Sequence, residues 1–224
     1  QGNIEIVRLL LGAPAISVNH VADEGFTALL IAVETEHVEI TRCLLGVPGI
    51  DVNLKEQSSG TTALQTASEN GNVELVRLLL NVQSINVNQT DNDGTTALFS
   101  ASKNDNIDAV RLILGVPGID VNHASDEGYT ALMLAVTQGN IEIVRLLLGA
   151  PAISVNQVMD GGITILFLAH MIGNVEIARL LLGAPGMDIN LASSDGITSL
   201  LLASQQGNVE FVRLFLGTEG IDVN

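Results

Sequence analysis

Gln138-Gly139-Asn140-Ile141-Glu142-Ile143-Val144-Arg145-Leu146-Leu147-Leu148-Gly149-Ala150-Pro151-Ala152-Ile153-Ser154-Val155-Asn156 occurs twice in this chain. Residues 1–19 repeat it letter for letter. Looser copies cover residues 71–80, 105–115, 173–183 and 207–217, and 36–46 is the most altered. Seven copies of one unit make the chain an array, in which each unit packs on its neighbours and no common centre exists.

Working outward, a threonine times the repeat. Thr27, Thr62, Thr96, Thr130, Thr164 and Thr198 recur every 34 residues, save one interval of 35. The odd interval comes from an additional residue between Asn53 and Gly60. Each threonine can cap free backbone N–H groups, so the spacing predicts a first helix there, with Ala32, Ala67, Ala101, Ala135, Ala169 and Ala203 as small residues that let helices approach closely. Gly139 ends that helix in left-handed geometry. Asn140 caps the second helix, and Glu142 sits in its first turn, where the helix dipole favours an acid. Ile141, Val144, Leu147 and Leu148 form its apolar stripe. Gly149, or Asn81 in one unit, is expected to stop it in left-handed geometry. The five prolines, Pro14, Pro48, Pro117, Pro151 and Pro185, then forbid its continuation. An extended piece follows, and a turn with Gly25, Gly60, Gly94, Gly128, Gly162 or Gly196 before the next threonine. The expected division is a half-unit at 1–21 and full units at about 22–56, 57–90, 91–124, 125–158, 159–192 and 193–224, all in one array.

Composition agrees. Of 224 residues 47% are hydrophobic, yet there is no Trp, one Tyr and five Phe, so the core must be Leu, Ile, Val and Ala. No apolar run approaches the roughly 18–20 residues of a membrane span. The longest candidate, 161–173, contains His170. Gln1 is not an initiator, which leaves room for an upstream segment. The single cysteine, Cys43, cannot form an internal disulfide and is expected to be a buried thiol. A cytoplasmic location is the expectation.

The net charge is −16, from nine bases and 25 acids. Seven of the bases are Arg8, Arg42, Arg77, Arg111, Arg145, Arg179 and Arg213, each with an acid three residues earlier, a helical pairing that contributes about 0.2–0.5 kcal/mol. The acids left over face only Lys55 and Lys103, so nucleic acid would be repelled and a basic or neutral protein partner is expected. Chemistry has little to work with. His20 and His123 occupy equivalent loop sites three units apart and cannot meet on one metal. His170 follows Ala169 and is expected to be partly buried and hydrogen-bonded. The acidic turns Asp23-Glu24, Asp91 with Asp93, and Asp126-Glu127 lack the spacing of a tight calcium loop. No phosphate loop, zinc spacing or nucleophile motif is present. No cofactor or metal is expected, and catalysis is not.

Gly-x-Thr-x-Leu, Gly-Asn-Val-Glu, Val-Arg-Leu-Leu-Leu and Asp-Val-Asn, recurring in register along the whole chain, resemble the ankyrin repeat. The resemblance implies an all-α, ankyrin-type solenoid of helix-turn-helix repeats with projecting β-hairpin-like turns. It departs from the family in three ways. The usual Thr-Pro-Leu-His has neither Pro nor His in any of the six units. The histidine place holds Leu30, Gln65, Phe99, Met133, Phe167 and Leu201, so packing should replace the polar network. Glu36 and Asp105 also stand where Gly usually stops the first helix, which predicts strain in the first and third full units.

The resemblance also implies that the residue between Gly and Thr, with the outer edge of the first helix, lines a concave partner-binding surface. Those residues are Phe26, Tyr129, Ile163 and Ile197, with Met171 and Ile172 on the fifth unit, ringed by Asp126, Glu127, Asp160 and Asp195. Units two and three offer Glu69, Asn70, Lys103 and Asn104 instead. Packing between neighbouring turns is the rival reading of the turn residues. The expected function is a non-catalytic protein-binding scaffold. The alternative is a structural protein that assembles head to tail through its ends, with Ile4, Val7 and Leu11 meeting Phe211 and Phe215.

Overall fold

The computed structural model describes residues 2–13, 16–22 and 25–223. Gln1, Pro14, Ala15, Asp23, Glu24 and Asn224 lie outside the described residues, as does the side chain of Asp160. Two compact units divide the chain at residue 120. The first holds α1 (Ile4–Leu11), α2 (Ala28–Glu34), α3 (Val38–Leu45), α4 (Ala63–Glu69), α5 (Val73–Leu80), α6 (Ala97–Lys103) and α7 (Ile107–Leu114). The second holds α8 (Ala131–Gln138), α9 (Ile141–Leu148), α10 (Ile165–Met171), α11 (Val175–Leu182), α12 (Ser199–Gln205) and α13 (Val209–Leu216). In each unit the helices form two rows. The threonine-led helices α2, α4 and α6 pack in sequence, as do α3, α5 and α7 behind them, and the second unit repeats the plan with α8, α10, α12 and α9, α11, α13.

The local chemistry explains each helix. All six threonines accept a bond from the backbone N–H three residues on. The alanine of each first helix is at most 3% exposed. Asn3, Asn72, Asn140, Asn174 and Asn208 cap the second helices. His37 and Asn106 do not cap with their side chains. Asn106 Nδ2 instead donates to the carbonyls of Ser68 and Glu69 in the preceding repeat, at 2.8 and 2.9 Å.

Two expectations about helix ends meet different outcomes. Glu36 and Asp105 do sit in left-handed backbone, at φ +55° and +56°. The second-helix stop does not: Gly149 has φ −81° and Asn81 φ −76°, both right-handed. The prolines that follow most of the second helices, rather than the cap geometry, end them. The left-handed residue lies further on, at Gly49, Gly118 and Gly186 in the Pro-Gly turn and at Gly220 after Glu219. In residues 150–153 that place is filled by Ala152, at φ +62°.

A ladder of asparagines ties repeat to repeat. Asn53 Nδ2 donates to Ser84 O at 2.8 Å, and its Oδ1 accepts from Asn86 N at 2.8 Å. Asn19, Asn88, Asn122, Asn156 and Asn190 each make the same pair of bonds to backbone 30 and 32 residues ahead. Side-chain amides thereby satisfy backbone groups that no sheet reaches.

Candidate protein-binding surface

The turns before each threonine are minimal hairpins. In the second unit Ser125 N donates to Tyr129 O at 2.9 Å, Met159 N to Ile163 O at 3.0 Å, and Ser193 N to Ile197 O at 2.9 Å. Single antiparallel bridges, Ala124 with Thr130, Val158 with Thr164 and Ala192 with Thr198, close them. Adjacent tips also join: both the backbone N–H and the hydroxyl of Ser194 donate to Gly161 O, at 3.2 and 2.6 Å. Gly162 permits that approach, since a Cβ there would stand 2.4 Å from Ser194 N. In the first unit Ala22 N donates to Phe26 O at 2.9 Å in the same way.

Phe26, Tyr129, Ile163 and Ile197 are all half-buried. Part of each aromatic or aliphatic side chain is therefore taken up within the turns, and the remainder faces outward. Met171 and Ile172 differ. They close α10 with 60% and 38% of their surface exposed. The same two places in the other repeats hold Glu34-Thr35, Glu69-Asn70, Lys103-Asn104, Thr137-Gln138 and Gln205-Gln206, all with at least one charged or amide group. Leu201, on α12, adds a third exposed apolar side chain. Sequence reasoning placed Leu201 at the family's histidine site and expected packing. Its counterparts Leu30, Gln65 and Met133 are buried and Phe99 and Phe167 are half-buried, so Leu201 is the exposed one of the six.

Acids surround these residues. Asp126, Glu127 and Asp195 are exposed on the turn tips. The bases of the second unit lie on the second helices, where Arg145 Nη2 bonds Glu176 Oε1 of the next repeat at 2.9 Å. In the first unit Arg42 reaches its own helix's Glu39 at 3.7 Å but Glu74 of the next repeat at 2.8 Å. Arg42 thus bridges repeats more closely than it pairs within its helix. These pairs are exposed and contribute about 0–1 kcal/mol each. Their larger effect is to neutralise the second-helix face and leave the tips acidic.

The polar position Gln65 corrects the expectation that packing alone replaces the histidine network. Gln65 completes a capping box with Thr62 and donates to Thr95 O of the next repeat at 2.7 Å. Glu56, in the lengthened turn, accepts from Ser58 N and from the backbone and hydroxyl of Ser59. The hydroxyls of Ser58 and Ser59, then the Ser59 N–H, hold its carboxyl down to about 2. The acid is a turn clamp.

Other expectations are corrected by burial. Phe211 and Phe215, offered as an end-to-end contact, are fully buried and pack edge-on to one another at 5.7 Å. They fill the interior of the second unit and present no surface. Ile4, Val7 and Leu11 are half-buried, while Ile6, Leu9 and Leu10 of α1 are the exposed ones. Cys43 is half-buried rather than buried. His170 is 3% exposed, and neither ring nitrogen has a hydrogen-bond partner. Its ring stands edge-on to Phe211, centroids 4.8 Å apart, and burial lowers its pKa below 6.5. Among the described residues, no three His, Cys, Asp or Glu side chains gather where they could hold a metal ion, and no helix is long and apolar enough to cross a membrane.

Known proteins agree with this architecture. The profile of ankyrin repeats in three copies matches residues 44–125, 83–159 and 132–224, and that of ankyrin repeats in many copies matches 1–45. An ankyrin repeat domain from Acinetobacter baumannii AYE is 30% identical, with a TM-score of 0.76, over 84% of this chain and 95% of its own. The ankyrin repeat domain of Bcl-3, described as a unique member of the IkappaB protein family, is 25% identical with a TM-score of 0.81, over 93% and 91%. The ankyrin repeat protein EF0377 shares the fold at 22% identity and a TM-score of 0.78, over 86% and 98%. No curated protein matches the sequence. With profile matches along its whole length and repeats built as helix pairs with projecting turns, the chain belongs to the ankyrin-repeat family.

Proposed function

We propose that the chain is a non-catalytic binding module whose second unit holds a protein partner along the edge formed by Met171 and Ile172. Ankyrin repeats generally mediate protein–protein interaction. Met171 and Ile172 would supply the apolar contact, with the outward parts of Tyr129, Ile163 and Ile197 beside them. Asp126, Glu127 and Asp195 would form the polar rim. Exposed apolar side chains inside a charged rim are the usual composition of such a contact. The acidic rim selects a partner whose own rim is basic or neutral. The mechanism is presentation of a rigid surface, and no reaction accompanies it.

One observation carries the reading: five sibling repeats write polar residues where this one writes Met171-Ile172. Replacing the pair by its siblings' residues, Met171→Glu with Ile172→Asn, leaves the fold intact because both are exposed. A partner captured by the parent chain and released by moderate salt should be lost by the variant. Equal recovery by both chains would refute the surface.

Head-to-tail assembly is a second reading. It is supported by exposed apolar residues at both ends, Leu9 and Leu10 on α1 and Val209 and Leu216 on α13. A net charge of −16 opposes it. A sedimentation coefficient that does not change with rising concentration would remove it.

A further inference from the structure

Asn70-Gly71 is the one Asn-Gly pair in the chain. It closes α4, with Asn70 as the C-cap at φ −72° and ψ −13° and Gly71 left-handed at φ +69°. In the five sibling repeats, the residue in the place of Gly71 donates its backbone N–H three residues back. Glu36 N reaches Val33 O at 3.0 Å, Asp105 N reaches Ser102 O at 3.4 Å, and Gly139 N reaches Val136 O at 2.9 Å. Gly173 N reaches His170 O at 2.9 Å and Gly207 N reaches Ser204 O at 3.2 Å. Gly71 N makes no such bond among the described residues.

Its acceptor is taken by the next repeat. Asn106 Nδ2 donates to Ser68 O at 2.8 Å and to Glu69 O at 2.9 Å. The same side chain stands against Gly71, where a Cβ would meet Asn106 Oδ1 at 2.3 Å. At Gly139 the nearest such atom, Asn174 Nδ2, is 3.8 Å away, and at Gly173 and Gly207 nothing lies within 4 Å. The side chain of Asn70 is also unheld. It is exposed and makes no hydrogen bond among the described residues, whereas Asn104 at the equivalent place donates to Ser100 O at 2.9 Å. A free backbone N–H therefore follows a free side-chain amide, and glycine puts no side chain in the way.

The geometry points to Asn70-Gly71 as a site of spontaneous modification, at which the asparagine converts slowly to aspartate and isoaspartate. Gly71 N attacks Asn70 Cγ and forms the new N–C bond. The side-chain nitrogen leaves as ammonia, taking the proton that Gly71 N gives up. Water then opens the cyclic imide at either carbonyl, and water is the only co-reactant. Closing the ring requires the peptide after Asn70 to turn out of its helical ψ of −13°. Gly71 permits that turn and gives up no hydrogen bond of its own. A held N–H must first release its carbonyl, which makes the open turn roughly two- to tenfold rarer. Gln138-Gly139 and Gln206-Gly207 are the comparison within the molecule, since their glycines are held and their longer side chains close a less favoured ring. The product adds negative charge at the C-terminal end of α4, beside Glu69, where the helix dipole disfavours it. Isoaspartate also lengthens the main chain between Asn70 N, bonded to Thr66 O, and Asn72 N, bonded to Ala67 O. The first unit thus carries a turn that weakens with age, and the site does not depend on the Met171 edge.

The test is incubation of the full chain in mildly alkaline buffer, with samples mapped by peptide mass spectrometry over time. Isoaspartate is counted by methyl transfer from S-adenosylmethionine with an isoaspartyl methyltransferase. The amide-to-acid mass gain should accumulate first in the peptide that spans Asn70, ahead of every other asparagine. Asn70→Gln, the residue that two sibling repeats have at this place, should abolish the early isoaspartate signal. Asn106→Ser keeps a good helix cap and frees Ser68 O for Gly71 N, so it should slow the conversion roughly two- to tenfold. A folded parent that keeps Asn70 intact while its urea-unfolded form loses half would overturn the site, and that comparison needs no variant. Conversion as fast or faster in an Asn106→Ser chain of unchanged circular dichroism would overturn the part given to Asn106.

Discussion

His170→Ser is the perturbation whose outcome the structure fixes most tightly. Ser68, Ser102 and Ser204 stand at the same place in other repeats, and each hydroxyl donates to the carbonyl four residues back at 2.7–2.8 Å. Serine therefore satisfies itself within the helix, and the imidazole of His170 does not. An unpaired buried polar group costs about 1–3 kcal/mol. Against that, the substitution removes the edge-on contact with Phe211, about 0.5–1.5 kcal/mol, and leaves a cavity beside the ring. Near pH 7.5 these effects oppose one another, and the two chains should differ by no more than about 1–2 kcal/mol.

The pH dependence separates them. Burial lowers the pKa of His170 in the folded chain. The unfolded chain, with an imidazole near 6.5, then binds the proton more readily. Stability is therefore intact above pH 6.5 and falls as pH drops below it, until the folded-state pKa is reached. A single proton limits the slope to about 1.4 kcal/mol per pH unit. No charged side chain intervenes. Helices α8 and α12 carry none, and Glu176, Arg179, Glu210 and Arg213 on α11 and α13 are all exposed. Urea unfolding followed by circular dichroism at pH 7.5, 6.5 and 5.5 is the assay. The difference between parent and variant cancels every titration that the two chains share. The serine chain should gain on the parent as pH falls. A difference that is constant across the three pH values would refute the reasoning.

Three further outcomes are expected. Ala152→Gly should raise stability by about 1 kcal/mol, read as a higher melting temperature, because a non-glycine residue at φ +62° is strained and Gly49, Gly118, Gly186 and Gly220 take that place at about +80°. Asn156→Ala removes both ladder bonds, to Gly186 O and from Asp188 N, and should cost about 1–3 kcal/mol in urea, with Asn156→Asp costing less because it keeps the acceptor. The Glu56 carboxyl, held at about 2, should remain ionised at pH 3.5 in a carbon-detected NMR titration; what it adds to stability is present above pH 4.5 and is lost as pH falls through about 2.

Local rules were legible in the sequence, and reach across repeats was not. The threonine caps, the packed alanines and the left-handed Glu36 and Asp105 follow from residue type and position alone. Each concerns a residue and its near neighbours in the chain. The asparagine ladder joins residues 30 and 32 apart, and nothing in an Asn signals that span until the repeats are stacked. The arginines show the same limit. Spacing gave an acid three residues back, but Arg42 and Arg145 also bond an acid 32 and 31 residues forward. His170 was expected to find a hydrogen bond because buried polar groups usually do. Its place, deep against Phe211, offers an aromatic edge instead. Met171 and Ile172 were legible as a break in the repeat pattern, whereas the exposure of Leu201 was not.

The pair α1 and α9 carries the wider argument. Their helix propensity, caps, acid in the first turn and apolar stripe are the same, so no property of the eight residues can account for Ile143 at 0% and Ile6 at 54% exposure. The difference lies in the neighbour. An array of this kind then has a stability made of small unit terms and larger contacts between units. An alteration inside one helix, such as His170→Ser, is read through the repeat that packs on it. The loss of a neighbour exposes a whole face. Met171 and Ile172 break the repeat pattern at positions that stay exposed, so the requirements of stacking do not by themselves account for them.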